Sequence, residues 1–142
     1  MLVIIPCGQR KQTVTCAAGE MYTGPYHRAC RRYADMLLAQ GGGSILILSA
    51  LHGLLLFSDR IAPYNLHMGQ PGSVTALLVR QQAEKRGMLL EDRVIALGGA
   101  GYRKVCQGVW PHCETPLAGK GGIGKQLGWL KRETERLQHV PT

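Results

Sequence analysis

Three short apolar runs along the chain predict the strands of a central sheet. They lie at Leu2–Pro6, at Ser44–Ser49 and at residues 93–97. The apolar residues in each run are continuous and do not alternate with polar ones, which is typical of strands buried on both faces of a parallel sheet. A further apolar stretch at residues 51–57 is interrupted by His52 and Gly53.

Between the strands, apolar residues at spacings of three and four predict helices. Proline, serine and glycine at positions that start or end helices set their boundaries. The predicted helices run from Gly24-Pro25 to Gly41, from Ser73 to Arg86, over residues 102–107 and from Lys125 to Gln138. The alternation of predicted strands and helices along the chain predicts an α/β fold. We expect a single three-layer domain over residues 1–142, with a short, mostly parallel central sheet and flanking helices.

The amino-acid composition gives the protein a strong positive charge. Seventeen Lys and Arg against nine Asp and Glu give a net charge of +8, and hydrophobic residues make up 45% of the 142 residues. That hydrophobic content excludes wholesale disorder. A nucleotide, another phosphate-bearing ligand or a nucleic-acid backbone is the natural partner of such a charge. No apolar run reaches the ~18 residues of a membrane span, so we expect no membrane partner.

The cysteines bear on the compartment and on metal binding. Five cysteines without a CxxC pair favour free thiols in the reducing cytoplasm over a disulfide framework. Residues 1–6 are apolar with no basic residue before them, so we interpret them as a strand and not as a signal peptide. Cys106, His112 and Cys113 lack the ligand spacing of a zinc site, so no metal and no other cofactor is predicted. The oligomeric state stays open.

The topology of a parallel sheet brings three polar segments together. The carboxyl ends of the strands, and the loops after them, lie at one edge of the sheet, where α/β folds usually bind ligands. These segments are residues 7–11, 49–53 and 98–103. Tyr22, Tyr64 and Tyr102 lie in or beside such loops, where they either stack on a base or anchor the chain. We therefore expect a ligand site at this edge.

Three side chains in these segments are candidates for chemistry. Lys11 lies beside Arg10, which favours loss of its proton and attack on an electrophilic carbon, although contact with a phosphate explains a charged lysine equally well. His52 suits proton transfer near neutral pH, or packs within its loop. Cys7 suits nucleophilic attack if a neighbouring cation stabilises its thiolate, or is a small buried thiol.

A glycine-rich string, GKGGIGK at residues 119–125, matches the GxxxxGK pattern of a phosphate-binding loop. Such a loop needs Ser or Thr next to hold magnesium, and it opens a domain with strands still to follow. This chain has Gln126 there and room for only one more helix, so a P-loop NTPase is excluded. The backbone N–H groups, flanked by Lys120 and Lys125, form either a site for one anionic group or a tight turn.

Several strings also resemble a known family. IPCGQRK at 5–11, MYTGPYHRACRRYA at 21–34, ILSALHGLL at 47–55, IAPYNL at 61–66 and PLAGKGGIGKQLGWL at 116–130 are similar, in this order, to small α/β proteins of bacteria and phages. These proteins have no settled function and are sometimes labelled YaaA-like, a label associated with DNA binding. More distantly, Pro6, Cys7 and Lys11 resemble the PC-x3-KPY signature of the small domain of archaeosine synthase, although Gln12 and Thr13 replace its final Pro-Tyr. The resemblance implies a pocket for a base or nucleotide.

These observations together favour an enzyme that acts on a nucleobase or nucleotide, free or within nucleic acid, by base modification or glycosidic-bond chemistry. Lys11 is expected as the covalent or electrostatic catalyst beside Cys7, with His52 or Asp59 moving protons. The residues expected to bind the base and the phosphate are Gly8, Arg10, Tyr22, Thr23, Ser49, Gly53, Tyr64, Gly99, Gly122 and Lys125.

Two other classes of function stay open. One is a non-enzymatic protein of the YaaA-like type that binds DNA or RNA through Arg28, Arg31, Arg32, Lys131 and Arg132. Its affinity falls steeply with added salt, because binding to phosphates releases counterions. The other is a module that binds a small phosphorylated ligand without turning it over.

Overall fold

A four-stranded sheet lies at the centre of the computed structural model, which describes residues 1–139. The strands are β1 (Leu2–Pro6), β2 (Cys16–Ala17), β3 (Ser44–Ser49), β4 (Gly53–Leu55), β5 (Arg60–Ile61) and β6 (Val94–Ala96). The helices are α1 (Ala18–Met21), α2 (Pro25–Gly41), α3 (Ala76–Lys85), α4 (Ala100–Val109) and α5 (Ile123–Gln138). The predicted domain also includes residues 140–142, which lie outside the described residues.

The sheet is mostly parallel, as predicted. Its strand order is β4-β3-β1-β6, in which β1 pairs in parallel with both β3 and β6 while β4 runs antiparallel to β3. Strands β2 and β5 form a separate antiparallel pair. The mixed α/β class is therefore confirmed, and the bounds of β1 and β3 coincide with the predicted runs.

The central strand β1 contributes to two hydrophobic clusters. Val3 and Ile5 pack in a cluster that includes residues of α2 and α5, whereas Leu2 and Ile4 pack in a second cluster with residues of α3 and α4. All four side chains are buried. Successive side chains of a strand point to opposite faces, which explains why the apolar run is continuous.

Three predicted helix starts differ from the structure. The predicted N-cap Ser73 is wrong, because the hydroxyl of Thr75 caps α3 by accepting from the backbone N–H of Leu78, at 3.2 Å. The Ser73 hydroxyl instead accepts from the N–H of Gly69, at 3.1 Å. Helices α4 and α5 each begin two residues before the predicted start, after Gly99 and Gly122 in extended conformation.

Both outer strands of the sheet are occupied along their outer edges. At β4, the N–H of Leu54 donates to the side-chain carbonyl of Gln82 at 2.8 Å, and Arg86 donates to the Leu54 carbonyl at 3.4 Å. At β6, the backbone of Glu114 donates to Val94 and accepts from Ala96, both at 2.8 Å. Side chains of α3 and a loop segment thus take the hydrogen bonds that another strand would make.

Candidate functional site

A cavity of about 540 Å³ opens where β1 and β6 end. Residues 7–10 follow β1, residues 24–27 start α2, Gly99 to Tyr102 start α4, and the first turn of α5 closes another side. Its lining residues are residues 7–10, 24–27 and 66–68 together with Gly99, Gly101, Tyr102, Ile123, Gln126 and Leu127. The cavity has the size typical of small-ligand sites.

The amino ends of three helices face this cavity. The N-caps of α2, α4 and α5 are Gly24, Gly99 and Gly122, and none of the three has a side-chain cap. Backbone N–H groups in the first turn of a helix lack partners within the helix and carry partial positive charge. Arg10 adds a full positive charge, and no Asp or Glu among residues 1–139 lines the cavity. This arrangement suits an anionic group.

Apolar and aromatic side chains form the remainder of the cavity wall. Leu66, Met68 and Leu127 contribute aliphatic surface beside the rings of Tyr26 and Tyr102. The Tyr26 hydroxyl donates to the side-chain carbonyl of Gln126, which ties the first turns of α2 and α5 together. Such a wall suits the faces of an aromatic ring.

Beside the cavity lies a group of polar side chains that we call the tyrosine cluster: Lys11, Tyr22, Ser49, His52 and Tyr64. Lys11 Nζ lies 4.5 Å from the ring centre of Tyr64 and 5.9 Å from that of Tyr22. The ring of the exposed His52 meets the Tyr64 ring edge-on, with the centres 5.6 Å apart. Both Lys11 and His52 therefore lie against one tyrosine.

The hydroxyl groups of Ser49, Tyr64 and Tyr22 form a chain of hydrogen bonds. Ser49 Oγ accepts from the backbone N–H groups of Leu51 at 3.2 Å and His52 at 3.0 Å. Because a hydroxyl oxygen has two acceptor positions, Ser49 donates its own proton to Tyr64 at 2.7 Å. The Tyr64 and Tyr22 hydroxyl oxygens are 2.6 Å apart, and either hydroxyl can be the donor of this hydrogen bond.

Burial shifts the pKa values of two members of the tyrosine cluster, Lys11 and Tyr22. Burial lowers the pKa of Lys11 from its usual value, and the charge on Cys7 opposes that shift. Burial raises the pKa of Tyr22 to about 12, although the hydrogen bond from Tyr64 lowers it. At neutral pH the phenol is therefore protonated, while Lys11 loses its proton more readily than an exposed lysine does.

Cys7 connects the tyrosine cluster to the cavity. Its side chain lines the cavity, and its thiol is 2.9 Å from the hydroxyl of Tyr102. Burial raises the pKa of Tyr64, and a negative charge on Cys7 would raise it further, as it would raise the pKa of Lys11.

Of the other predicted site residues, Gly8, Arg10 and Gly99 line the cavity. The backbone N–H of Thr23 donates to the carbonyl of Arg10 at 3.0 Å, which holds the two loops together. Gly53 has a φ of 74°, and a Cβ there would collide with the side chain of Gln82, so its role is structural.

The structure does not bring Asp59, Gly122 and Lys125 to the cavity lining. Asp59 accepts from the N–H of Leu56 at 2.8 Å and lies 3.9 Å from Arg86. Gly122 caps α5, while Lys125 lines a separate groove that includes Lys120, Trp129 and Arg132.

Comparison with known proteins identifies the family. Residues 2–132 match a family model described as "Family of unknown function (DUF6884)". The chain belongs to this family. A Bacillus subtilis (strain 168) relative described as "Uncharacterized protein YfjM" is 33% identical over 146 residues, which cover 94% of this chain and 95% of the relative. No solved structure matches the chain. The DUF6884 match agrees with a small bacterial family without a settled function, and the narrower resemblance to YaaA and archaeosine synthase stays a prediction.

Sequence reasoning missed several cavity residues of this DUF6884 chain. His27, Tyr26 and Gln126 lie in helices, where apolar spacing assigns them no role, and Leu66 and Met68 lie in a loop without periodicity. One signal was available. Glycine precedes each of the three helices at this edge, and of these three glycines only Gly24 is absent from the residues predicted to bind the ligand.

The hydroxyl chain makes a prediction about stability. Tyr64→Phe removes the central hydroxyl and leaves the Ser49 and Tyr22 hydroxyls without their shared partner. We expect a loss of about 1–2 kcal/mol in the free energy of unfolding, measured by urea titration. Tyr33→Phe is the matched control, because the Tyr33 hydroxyl makes no hydrogen bond to residues 1–139, and it should change stability by less than about 0.5 kcal/mol. Equal losses of unfolding free energy in both variants would contradict the chain of hydrogen bonds between the hydroxyl groups.

Proposed function

We propose that the protein is an enzyme that acts on a nucleobase or nucleotide bound in the cavity. The observation that carries this proposal is the meeting of three uncapped helix starts and Arg10 with an apolar, aromatic wall in one cavity of about 540 Å³. One half of such a site suits a phosphate, and the other half suits a base.

In this proposal the phosphate lies against the amino ends of the helices. Backbone N–H groups at the starts of α2 and α4 donate to its oxygens, and the guanidinium of Arg10 pairs with its charge. The base then lies against Leu66, Met68 and Leu127, beside Cys7. This orientation brings the base, and not the phosphate, towards the tyrosine cluster.

Lys11 and Cys7 are the proposed reactive groups. Burial lowers the pKa of Lys11, which favours a nucleophilic or proton-accepting role. With Tyr64 as the donor of the hydrogen bond between the two tyrosines, the Tyr22 hydroxyl at the end of the hydroxyl chain is available to donate to a developing negative charge nearby. His52 contacts Tyr64 from the exposed side and is a candidate for exchange of protons with solvent.

The three-layer order predicted for the domain is also part of the proposal. Its support is the division of the core, with α2 and α5 packed against Val3 and Ile5 and with α3 and α4 packed against Leu2 and Ile4. In that order the helices that start at the cavity come from both faces of the sheet.

Calorimetric titration with nucleoside 5′-monophosphates tests the binding site. We expect at least one of the four common ribonucleotides to bind one-to-one, and its nucleoside to bind at least about 10-fold more weakly. Arg10→Gln should weaken nucleotide binding by about 10-fold or more, since a charge-assisted hydrogen bond contributes about 1.5–3 kcal/mol. Arg80→Gln, an exposed position on α3 outside the cavity lining, is the control and should leave binding unchanged.

Mass spectrometry of the titrated nucleotides, and of oligonucleotides that contain them, tests for catalysis. A change of mass or release of a base supports the enzyme. Failure of every nucleotide to bind would contradict the site, whereas saturable binding without conversion would indicate the module for a small phosphorylated ligand.

A second candidate, a protein that binds nucleic acid without catalysis, has one observation in its favour. The exposed cations on α2 and α5 that make no ion pair with residues 1–139 include Arg28, Arg32, Lys131 and Arg132. The predicted fifth member, Arg31, instead donates to the carbonyl of Gly19 and packs on Phe57. Oligonucleotide binding that falls steeply with salt and is insensitive to Lys11→Met would favour this candidate.

A further inference from the structure

One buried side chain of the cavity lacks a hydrogen-bond partner. His27, in the first turn of α2, is 2% exposed and is one of the residues that line the cavity. Its Nε2 atom is the only buried side-chain nitrogen or oxygen without a partner within residues 1–139. Buried polar groups are nearly always paired in folded proteins, so an unpaired one in a residue that lines a cavity is a candidate for contact with a ligand or an ordered water.

The hydrogen bond of the other ring nitrogen, Nδ1, determines which nitrogen of the neutral His27 ring bears the proton. Nδ1 lies 2.7 Å from the backbone carbonyl of Pro6. A carbonyl oxygen only accepts, so Nδ1 is the donor and bears the hydrogen. Nε2 of the neutral ring is then an acceptor with a free lone pair.

The surroundings keep the ring neutral. Burial lowers the pKa of His27, the hydrogen bond to Pro6 opposes this shift, and the charges of Arg31 and Arg28 lower the pKa further. The Tyr22 ring packs against the imidazole, with centres 5.1 Å apart. The neutral ring therefore offers Nε2 as a hydrogen-bond acceptor and does not attract the phosphate.

We infer that His27 Nε2 accepts a hydrogen bond from an amino group of the bound base and selects for bases that carry one. The inference rests on the proposed function, since it names a residue of the same cavity. An acceptor buried without a donor destabilises the unliganded protein. A ligand that donates there removes this penalty, whereas a ligand without the donor leaves it in place.

Matched pairs of nucleotides test the inference. Each pair differs by one amino group: AMP against purine riboside monophosphate, GMP against IMP, and CMP against 2-pyrimidinone riboside monophosphate. We expect the wild-type protein to bind the amino-bearing member at least about 10-fold more tightly in one pair. His27→Asn should bring that ratio close to one, because the asparagine amide can still donate to the Pro6 carbonyl while the acceptor at Nε2 is gone.

The outcomes separate the two proposals. If nucleotides bind with no preference in any pair, or if His27→Asn keeps the preference, the role of His27 is wrong and the nucleotide site stands. If no nucleotide binds, both proposals fail. If His27→Asn does not fold, ¹H–¹⁵N correlation spectra of the wild-type imidazole decide. A proton on Nδ1 and a shift of the Nε2 resonance with the preferred nucleotide support the inference, and a proton on Nε2 or an unmoved resonance overturns it.

Discussion

Lys11→Met should lower the turnover of the nucleotide substrate by about 100-fold or more, because the positioned amine that takes part in the reaction is gone. Methionine keeps an unbranched aliphatic side chain at this position, and the lost ammonium–ring contact contributes only about 0.5–1 kcal/mol at a partly exposed site. The free energy of unfolding should therefore change by less than about 1 kcal/mol. Product formation by mass spectrometry and urea unfolding measure the two quantities.

Lys104→Met is the control for this experiment, since Lys104 is exposed on α4 and lies outside both the cavity lining and the tyrosine cluster. It should retain full turnover. A readout that needs no substrate is competitive acetylation at neutral pH, in which Lys11 should react ahead of the other five lysines because its lowered pKa leaves more neutral amine. A folded Lys11→Met variant with undiminished turnover would remove the lysine from the mechanism.

Gly98→Ala should destabilise the protein and weaken nucleotide binding together. Gly98 has a φ of 122°, and an added Cβ would lie 3.0 Å from Cβ of Tyr102 and 3.1 Å from Cβ of Pro6. Backbone strain of about 1–3 kcal/mol and overpacking of about 1–3 kcal/mol both oppose the substitution. We expect a loss of roughly 2–6 kcal/mol in urea unfolding, with a rise in the Kd for nucleotide because Tyr102 and the start of α4 move.

A second glycine supplies the comparison for Gly98. Gly41 ends α2 without a positive φ, and a Cβ there meets nothing within 4 Å. Gly41→Ala should leave stability within about 1 kcal/mol of wild type and should not change nucleotide affinity. If Gly98→Ala unfolds at the same urea concentration as Gly41→Ala, the turn after β6 does not hold the cavity wall as described.

The bounds of the strands could be predicted closely where a strand is buried on both faces, because such a strand is a continuous run of apolar residues. β1 and β3 are continuous apolar runs bounded by Pro6 and by the glycines before Ser44, so their limits are unambiguous. The pair β2–β5 has two residues in each strand, separated by about 40 residues of chain. Its pairing depends on tertiary packing, and a two-residue strand has no periodicity to detect.

The candidate site was predicted in its position and only partly in its members. The rule that strand ends share one edge brings together residues 7–11, 49–53 and 98–103, and in the structure Tyr64 contacts two of these segments while the cavity touches the first and the third. The rule says nothing about helix faces, so it could not find His27 or Gln126. The separation into a cavity and an adjacent tyrosine cluster depends on side-chain packing that no local pattern encodes.

The occupied outer edges of the sheet limit how this protein can associate. With Gln82 and Arg86 on one side and Glu114 on the other, neither margin offers a free ladder of amides to an incoming peptide or to a second copy of the chain. Growth into fibrils by edge-to-edge stacking is blocked for the same reason. Assembly of the folded protein through the edges of the four-stranded sheet is therefore disfavoured, and variants that free the Leu54 amide, such as Gln82→Ala, are where self-association through this sheet should begin.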